Sequence, residues 1–431
     1  MKNLSRLNIL VLVALVLGAC SSSETQIEED NRELFEYLQQ EYFWNNELPA
    51  QIDTSAYDSM PDAMNALRAP DDRFSFVMTD DEYDDYAASI FFGYGFSHQN
   101  NSAKDGLLIR YVYSEGSAAQ NGLRRGDSII EVDGVSMADV IAGQHTLSDV
   151  FGPNEEGHSI EVTFRKPNGD LVEATFSKSE IVANTVLAYE TKQLSVNGQS
   201  KDVGYLVFNS FKASSDEELN SAFEKFQRDD IDELILDLRY NSGGRISIAN
   251  QLSTQIAGDN VDNQIFVQYV HNELQSNKNS TSYFDLVNGS AQLNLDRLIV
   301  LTSQSSCSAS ELVINSLVPF IDVVIIGDET CGKPIGMYPE DINDYVVFAI
   351  NFQTQNAVGF GDYFDGLTAD CSVDENITGD WGVVSEPMLA EAVYYLANNR
   401  CSFGAEAFGK LAKKQKRVKA DFVLNNFKND L

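Results

Sequence analysis

Apolar residues recur along this chain with two alternating periods. From Gly204 onward the short runs Gly204-Tyr-Leu-Val-Phe208, Leu234-Ile-Leu-Asp-Leu238, Leu298-Ile-Val-Leu-Thr302 and Val323-Val-Ile-Ile326 predict buried strands. Between them lie stretches of helical spacing. Ser214 to Arg228 opens with serines and acids, as a positive helix N-terminus prefers. Ile246 to Ile256 is a second helix, and a third begins near Ser308, with Leu312, Val313, Leu317 and Val318 on one face. Nearly continuous apolar strands predict a sheet covered on both sides. Tyr345 to Phe352 is predicted as one more strand and Leu389 to Ala397 as a helix, with polar strands and loops over Asp259 to Leu295. Upstream, Leu34, Tyr37, Leu38, Tyr42 and Phe43 fall at helical spacing, and Ala63 to Leu67 continues a helical region up to Pro70.

Polar positions gather where these strands end. Ser303 to Ser308 holds four serines, a glutamine and a cysteine, too polar to prolong the strand before it. Gly327 to Gly336 is the loop after the next strand and carries Lys333. This order brings Ser308 and Lys333 to the same end of a sheet. A serine hydroxyl is a poor nucleophile until a base takes its proton, and a lysine serves as that base only where burial lowers its pKa. The flanking Cys331-Gly332 and Pro334-Ile335-Gly336 carry no countercharge, whereas Asp328 and Glu329 would hold the ammonium charged. Ser308-Ala-Ser-Glu311 reads equally as a capping box. The turn Arg239-Tyr-Asn-Ser-Gly-Gly244 has two glycines that either admit a bound group close to the backbone or merely make a tight bend.

Taken together, Thr302 to Leu312, the Gly332-Lys333 step and Leu234 to Gly244 resemble the tail-specific, or C-terminal processing, serine proteases that carry a PDZ domain. The resemblance implies an α/β multidomain chain. It would comprise an N-terminal helical region, a β-rich PDZ domain with short helices, and an α/β catalytic core of ββα, crotonase-like units. It further implies Ser308 as nucleophile, Lys333 as general base, and an oxyanion hole from the N–H of Ala309 with one from Gly243 or Gly244, Gly243 preferred. Many members place an orienting glutamine four residues after the lysine, a position occupied here by Met337. A bare Ser–Lys dyad, or another orienting group, is therefore expected. Asp71-Asp-Arg-Phe-Ser-Phe76 resembles the segment before the PDZ domain in that family. Phe91 to about Ser179 resembles the PDZ domain itself, with Gly93-Tyr94-Gly95-Phe96 as the loop that captures a peptide carboxylate. The Gly126-Asp127 and Asp133-Gly134 turns support that reading. The implied partners are protein or peptide substrates with a free C-terminus. The rival from another class is a catalytically silent PDZ-type lipoprotein that only binds peptides.

Length and composition add boundaries. A chain of 431 residues exceeds one comfortable core. Its 30 basic against 65 acidic residues give a net charge of -35, which repels nucleic acid. Lys2 and Arg6 precede the apolar Ile9 to Leu17, too short to span a bilayer, and Leu17-Gly-Ala-Cys20 resembles a bacterial lipobox with Cys20 as the lipidated residue. A lipid-anchored protein of the bacterial cell envelope is the expectation. The expected divisions are a signal peptide over 1–20, a tether over 21–30, the helical region over 31–87, the PDZ domain over 88–180, the catalytic domain over 181–403 and a basic tail over 404–431. Cys307, Cys331, Cys371 and Cys401 allow three disulfide pairings, with Cys371–Cys401 preferred because the other two flank the candidate catalytic residues. No metal-ligand spacing and no cofactor motif stands out. Gly359 to Leu367 is aromatic and expected to pack rather than to line a cleft.

Overall fold

Six strands form the central sheet, in the order Val186–Val196, Gln199–Phe208, Glu233–Asp237, Arg297–Thr302, Asp322–Gly327 and Cys371–Ser372. The first pair is antiparallel and the others are parallel. Helices Ser215–Arg228, Ile246–Ala257 and Ala309–Leu317 bury one face, with Leu219, Phe223, Phe226, Leu252 and Val313 fully enclosed. Helix Pro387–Asn398 covers the other through Met388, Leu389, Ala392 and Leu396. Burial on both faces explains why these strands read as unbroken apolar runs. The computed structural model describes residues 24–88, 90–196, 198–285 and 290–404. Cys20, the signal segment and the basic run Lys410 to Lys419 lie outside the described residues. Among the described residues, no helix is long and apolar enough to cross a membrane.

Three expectations need correction. Helix Gln26–Glu41 begins inside the stretch 21–30 expected as a tether, because Thr25 and Glu28 form a reciprocal capping box that starts it early. The region expected to be helical to residue 87 contains strand Phe76–Thr79, which pairs with Tyr345–Phe348 of the C-terminal part. Tyr345 to Phe352 is not one strand: it breaks at buried Ala349, and Ile350–Gln355 joins a different sheet with Ile265–His271 and Ile335–Met337. Both halves are apolar because both are enclosed, so periodicity alone could not reveal the break.

Strands Phe96–Asn100, Leu107–Val112, Ser128–Val132, Ser159–Arg165 and Leu171–Ser177 form a separate sheet over a core containing Phe96, Ile109, Leu123, Phe164 and Phe176. Phe96–Asn100 lies at its edge, the position at which a sheet can accept another strand. Tyr94 and Phe96 point inward and are fully buried, and the Tyr94 hydroxyl donates to the Phe151 carbonyl at 2.8 Å. Gly95 has φ 86°, and a Cβ there would meet Gly116 Cα at 2.7 Å. Within Gly93 to Phe96 the two aromatic side chains are thus taken up by the core, which leaves the backbone as the part that could meet a peptide.

Arg125 anchors this β-rich unit to the rest. Its guanidinium donates to the Tyr240 hydroxyl at 2.8 Å, pairs with Glu375 at 3.3 Å and lies 3.9 Å from the Trp381 ring centre. Beside it, Arg239 is 1% exposed and is held by Asp237 at 2.8 Å and Glu386 at 2.7 Å, while Tyr205 donates to Asp237 at 2.7 Å. Asp237, the one interruption in its apolar strand, is this buried partner. Removing one member of a buried ionic network strands the others at a cost of about 3–5 kcal/mol. Arg239→Met is expected to lower stability by that amount, read by urea titration of the full chain.

Candidate active site

Three adjacent parallel strands end together at Asp237, Thr302 and Gly327, with Asp237 beside Leu301 and Thr302 beside Gly327. The turn over 239–244, the loop over 303–308 and the loop over 328–334 leave from those ends. A crevice outside the carboxyl ends of parallel strands is where such sheets bind ligands. Here it is a cleft of about 830 Å³ lined by Gly243, Gly244, Ser308, Ala309, Lys333 and Met337, and by Arg110, Tyr111 and Tyr113 of the β-rich unit. Gly93 to Phe96 and residues 359–367 do not line it.

Ser308 is the residue before helix Ala309–Leu317 and has φ 54°. A left-handed conformation is uncommon for a side-chain-bearing residue and marks a constrained turn. Gly243 makes room for it: a Cβ at Gly243 would meet the Cys307 carbonyl and Ser308 Cβ at 2.8 Å and Ala309 N at 3.0 Å. The Gly243 N–H donates to Asn241 Oδ1 at 2.9 Å. That hydrogen bond takes up the donor preferred for the oxyanion hole, so the N–H groups left for that role are those of Ala309 and Gly244.

Lys333 lies across the cleft. Burial pulls its amine down to about 8 against the opposing fields of Asp72 and Glu311. Those carboxylates, not the sequence neighbours Asp328 and Glu329, are the ones that favour the charged form. The ammonium lies 5.1 Å from the centre of the Phe74 ring. Arg73 donates to the carbonyls of Cys331 at 3.0 Å, Gly332 at 3.3 Å and Phe364 at 3.3 Å, fastening the lysine loop from the N-terminal side. Met337 sits on strand Ile335–Met337 and offers no polar group to the amine. The Ser308 hydroxyl and the lysine amine share the cleft without a direct hydrogen bond.

Glu311 joins the two loops. Fully buried, it accepts from the N–H groups of Ser308 at 2.9 Å, Gly332 at 2.8 Å and Lys333 at 2.8 Å, and from the Thr330 hydroxyl at 2.5 Å. Burial pushes its carboxyl upward, opposed by those four donors. The capping reading of Ser308 and Glu311 therefore holds, and Glu311 both caps the helix and ties down the lysine loop. Cys307 and Cys331 are disulfide-bonded with Cα atoms 5.1 Å apart, and Cys371–Cys401 is bonded at 5.4 Å, so the cysteines flanking the site pair as well as the two preferred. Cys307, Glu311 and Cys331 lie close enough to share a metal ion, but the bond between the sulfurs removes both as thiolate ligands.

A family model described as peptidase family S41 matches residues 202–371, and one for the S41 N-terminal domain matches 29–76. Together they span just over half of the chain. The chain belongs to peptidase family S41. A PDZ domain model matches residues 90–144 of this S41 peptidase. The carboxy-terminal processing protease of Bacillus subtilis is 25% identical over 63% of this chain and 52% of its own length. The carboxyl-terminal-processing protease of a Picosynechococcus strain is 25% identical over 66% and 64%. The chain thus spans less than two thirds of these relatives. A crystal structure described as an S41 protease from Bacteroides fragilis matches with a TM-score of 0.71 at 24% identity, covering 84% of this chain and 96% of that one. The photosystem II D1 C-terminal processing protease matches at 0.50 and 19%, covering 81% and 94%. At these identities the structural likeness concerns the fold.

The Glu311 hub and the reach of Asp72, Arg73 and Phe74 to the lysine were missed in the sequence reading, although both segments stood out as motifs. Each buried donor left without a partner costs about 1–3 kcal/mol. Glu311→Ala, which strands four, is expected to destabilise the S41 peptidase by about 4 kcal/mol or more in guanidinium unfolding, with Glu311→Gln intermediate.

Proposed function

We propose that this S41 peptidase is a serine endopeptidase that cuts peptide bonds through a Ser308–Lys333 acyl-enzyme route. The observation that carries the reading is the meeting, in one cleft, of a hydroxyl on a constrained helix-start turn and an amine brought by burial to about 8. In its neutral form Lys333 takes the Ser308 proton as Ser308 Oγ attacks the scissile carbonyl. Because no hydrogen bond joins the two groups in the free protein, substrate closure or a bridging water completes that contact. The N–H groups of Ala309 and Gly244 hold the developing oxyanion. Lys333, now an ammonium, protonates the leaving amine, and the free amine then activates the water that releases the acyl group.

The substrates are proteins or peptides with a free C-terminus, read by the PDZ unit through its edge strand and the backbone of Gly93 to Phe96. The names of the sequence relatives, carboxyl-terminal processing proteases, support that reading. Lipidation at Cys20 would place the enzyme on a bacterial envelope membrane, facing exported proteins. Met337 in the place of an orienting glutamine favours the second reading, a silent peptide receptor. A fluorophosphonate probe separates the two: labelling lost in Ser308→Ala supports the enzyme, and peptide binding without labelling supports the receptor.

Two expectations follow from the chemistry. Ser308→Ala and Lys333→Ala should each abolish cleavage of a tailed substrate while circular dichroism stays unchanged, and full activity in either refutes the dyad. An ammonium cannot accept a proton, so kcat/KM should fall about tenfold per pH unit below the lysine's value of about 8 and level off above it. The folded value lies below the ordinary 10.5, so between the two the unfolded chain binds more protons and stability rises with pH. That rise should be absent in Lys333→Met.

A further inference from the structure

We propose that the Cys307–Cys331 disulfide is a positioning crosslink of the catalytic site, and that cleavage requires it to be oxidised. The inference rests on the Ser308–Lys333 reading and concerns what holds that pair in place. Cys307 directly precedes Ser308, and Cys331 stands two residues before Lys333. The two loops leave different strands, so the bond joins the segments that carry the two groups of the reaction. Cys307 is fully buried and Cys331 is 4% exposed, while Cys307 forms part of the cleft wall.

Ties of three kinds bridge the loops among the described residues. One is the disulfide, another is the Cys331 N–H donated to the Ser306 carbonyl at 3.0 Å, and the third is Glu311. Glu311 Oε2 accepts from both Ser308 N–H and Lys333 N–H, and Cys331 Sγ lies 3.4 Å from that same oxygen. In the disulfide this sulfur has no proton and makes no claim on the carboxylate. Reduction changes that. A dithiol reductant attacks one sulfur, the S–S bond breaks, and its second thiol resolves the mixed disulfide. Two electrons and two protons pass to the protein and the reductant leaves as a disulfide. Cys331 is then a thiol, a new donor facing Glu311 Oε2, in competition with the N–H groups of nucleophile and base.

The same event removes the covalent restraint beside Ser308, whose left-handed backbone must be held by its surroundings. With Met337 at the orienting position, no side-chain amide compensates for the lost alignment. Cys371–Cys401 provides the internal control. It joins the edge strand Cys371–Ser372 to the chain just beyond helix Pro387–Asn398, and neither residue lines the cleft. A chain held in a reducing compartment would accordingly stay inactive until it reached an oxidising one.

The test uses the full chain, oxidised and then treated with dithiothreitol, with disulfides mapped by mass spectrometry and peptide cleavage followed across pH. Reduction of Cys307–Cys331 should lower kcat at least about tenfold with a smaller change in KM, move the pH midpoint, and be reversed on reoxidation. Cys371→Ser/Cys401→Ser should remain active and remain sensitive to the reductant. Cys307→Ser/Cys331→Ser should be slow and insensitive, and should this variant not fold, reduction and reoxidation of the native chain still decides. Unchanged kcat and pH midpoint after mapped reduction overturns the proposal while leaving the dyad standing. Failure of the oxidised chain to cleave or to take up a fluorophosphonate overturns the dyad, and the crosslink proposal with it.

Discussion

The buried carboxylate of Glu311 is the interaction on which the site depends. A carboxylate taken out of water persists only where donors replace its hydration, and Glu311 has four, one from Ser308, one from Thr330 and two from Gly332 and Lys333. Its place three residues into a helix also suits the partial positive charge there. One side chain thus fixes the start of the helix and the path of the lysine loop relative to it. The geometry of Ser308 and Lys333 is set by a contact in which neither side chain takes part.

That contact is possible only because the sheet delivers its loops in register. Parallel pairing aligns Asp237 with Leu301 and Thr302 with Gly327, so three successive loops emerge side by side. Gly243 then lies against Ser308 and Ala309 with no space for a Cβ, which lets the first loop reach the second. The engagement of the Gly243 N–H by Asn241 freezes this turn in its shape and shifts the free donor to Gly244. On the outer side, Arg239 pairs with both Asp237 and Glu386 where the first strand ends, and the neighbouring Arg125 contacts bring the β-rich unit to the rim of the cleft.

What could be read from sequence was whatever is periodic or local. The strands and helices from Gln199 to Ala257 and from Arg297 to Gly327 were legible because each is buried on a repeating face, whereas the polar stretch between them hid strand Ile265–His271; that Ser308 and Lys333 share one end of the sheet was legible from the order of those elements. The break at Ala349 was hidden because the residues on either side are equally enclosed. The Gly243 hydrogen bond was hidden because it depends on where an asparagine two residues earlier points. The long-range ties were beyond reach altogether: Arg73 meets Cys331 across 258 positions, and nothing in either segment encodes the other.

Lys333 shows why those distant ties matter. Two carboxylates, Asp72 and Glu311, favour its charged form, and an aromatic ring beneath it does the same, yet burial outweighs them and brings the amine to about 8. The balance is narrow because the carboxylates are themselves occupied. Asp72 accepts from the Tyr42 hydroxyl at 2.7 Å and from the N–H groups of Phe74 at 2.8 Å and Ser75 at 2.9 Å, and Glu311 accepts from its four donors. A carboxylate committed to other donors keeps its field but forms no ion pair with the amine. The lysine can therefore be desolvated without being locked as an ammonium, and half of that arrangement is contributed by residues 42 to 75. The N-terminal region, separated from Lys333 in sequence by the whole β-rich unit, is in physical terms one wall of the lysine's pocket.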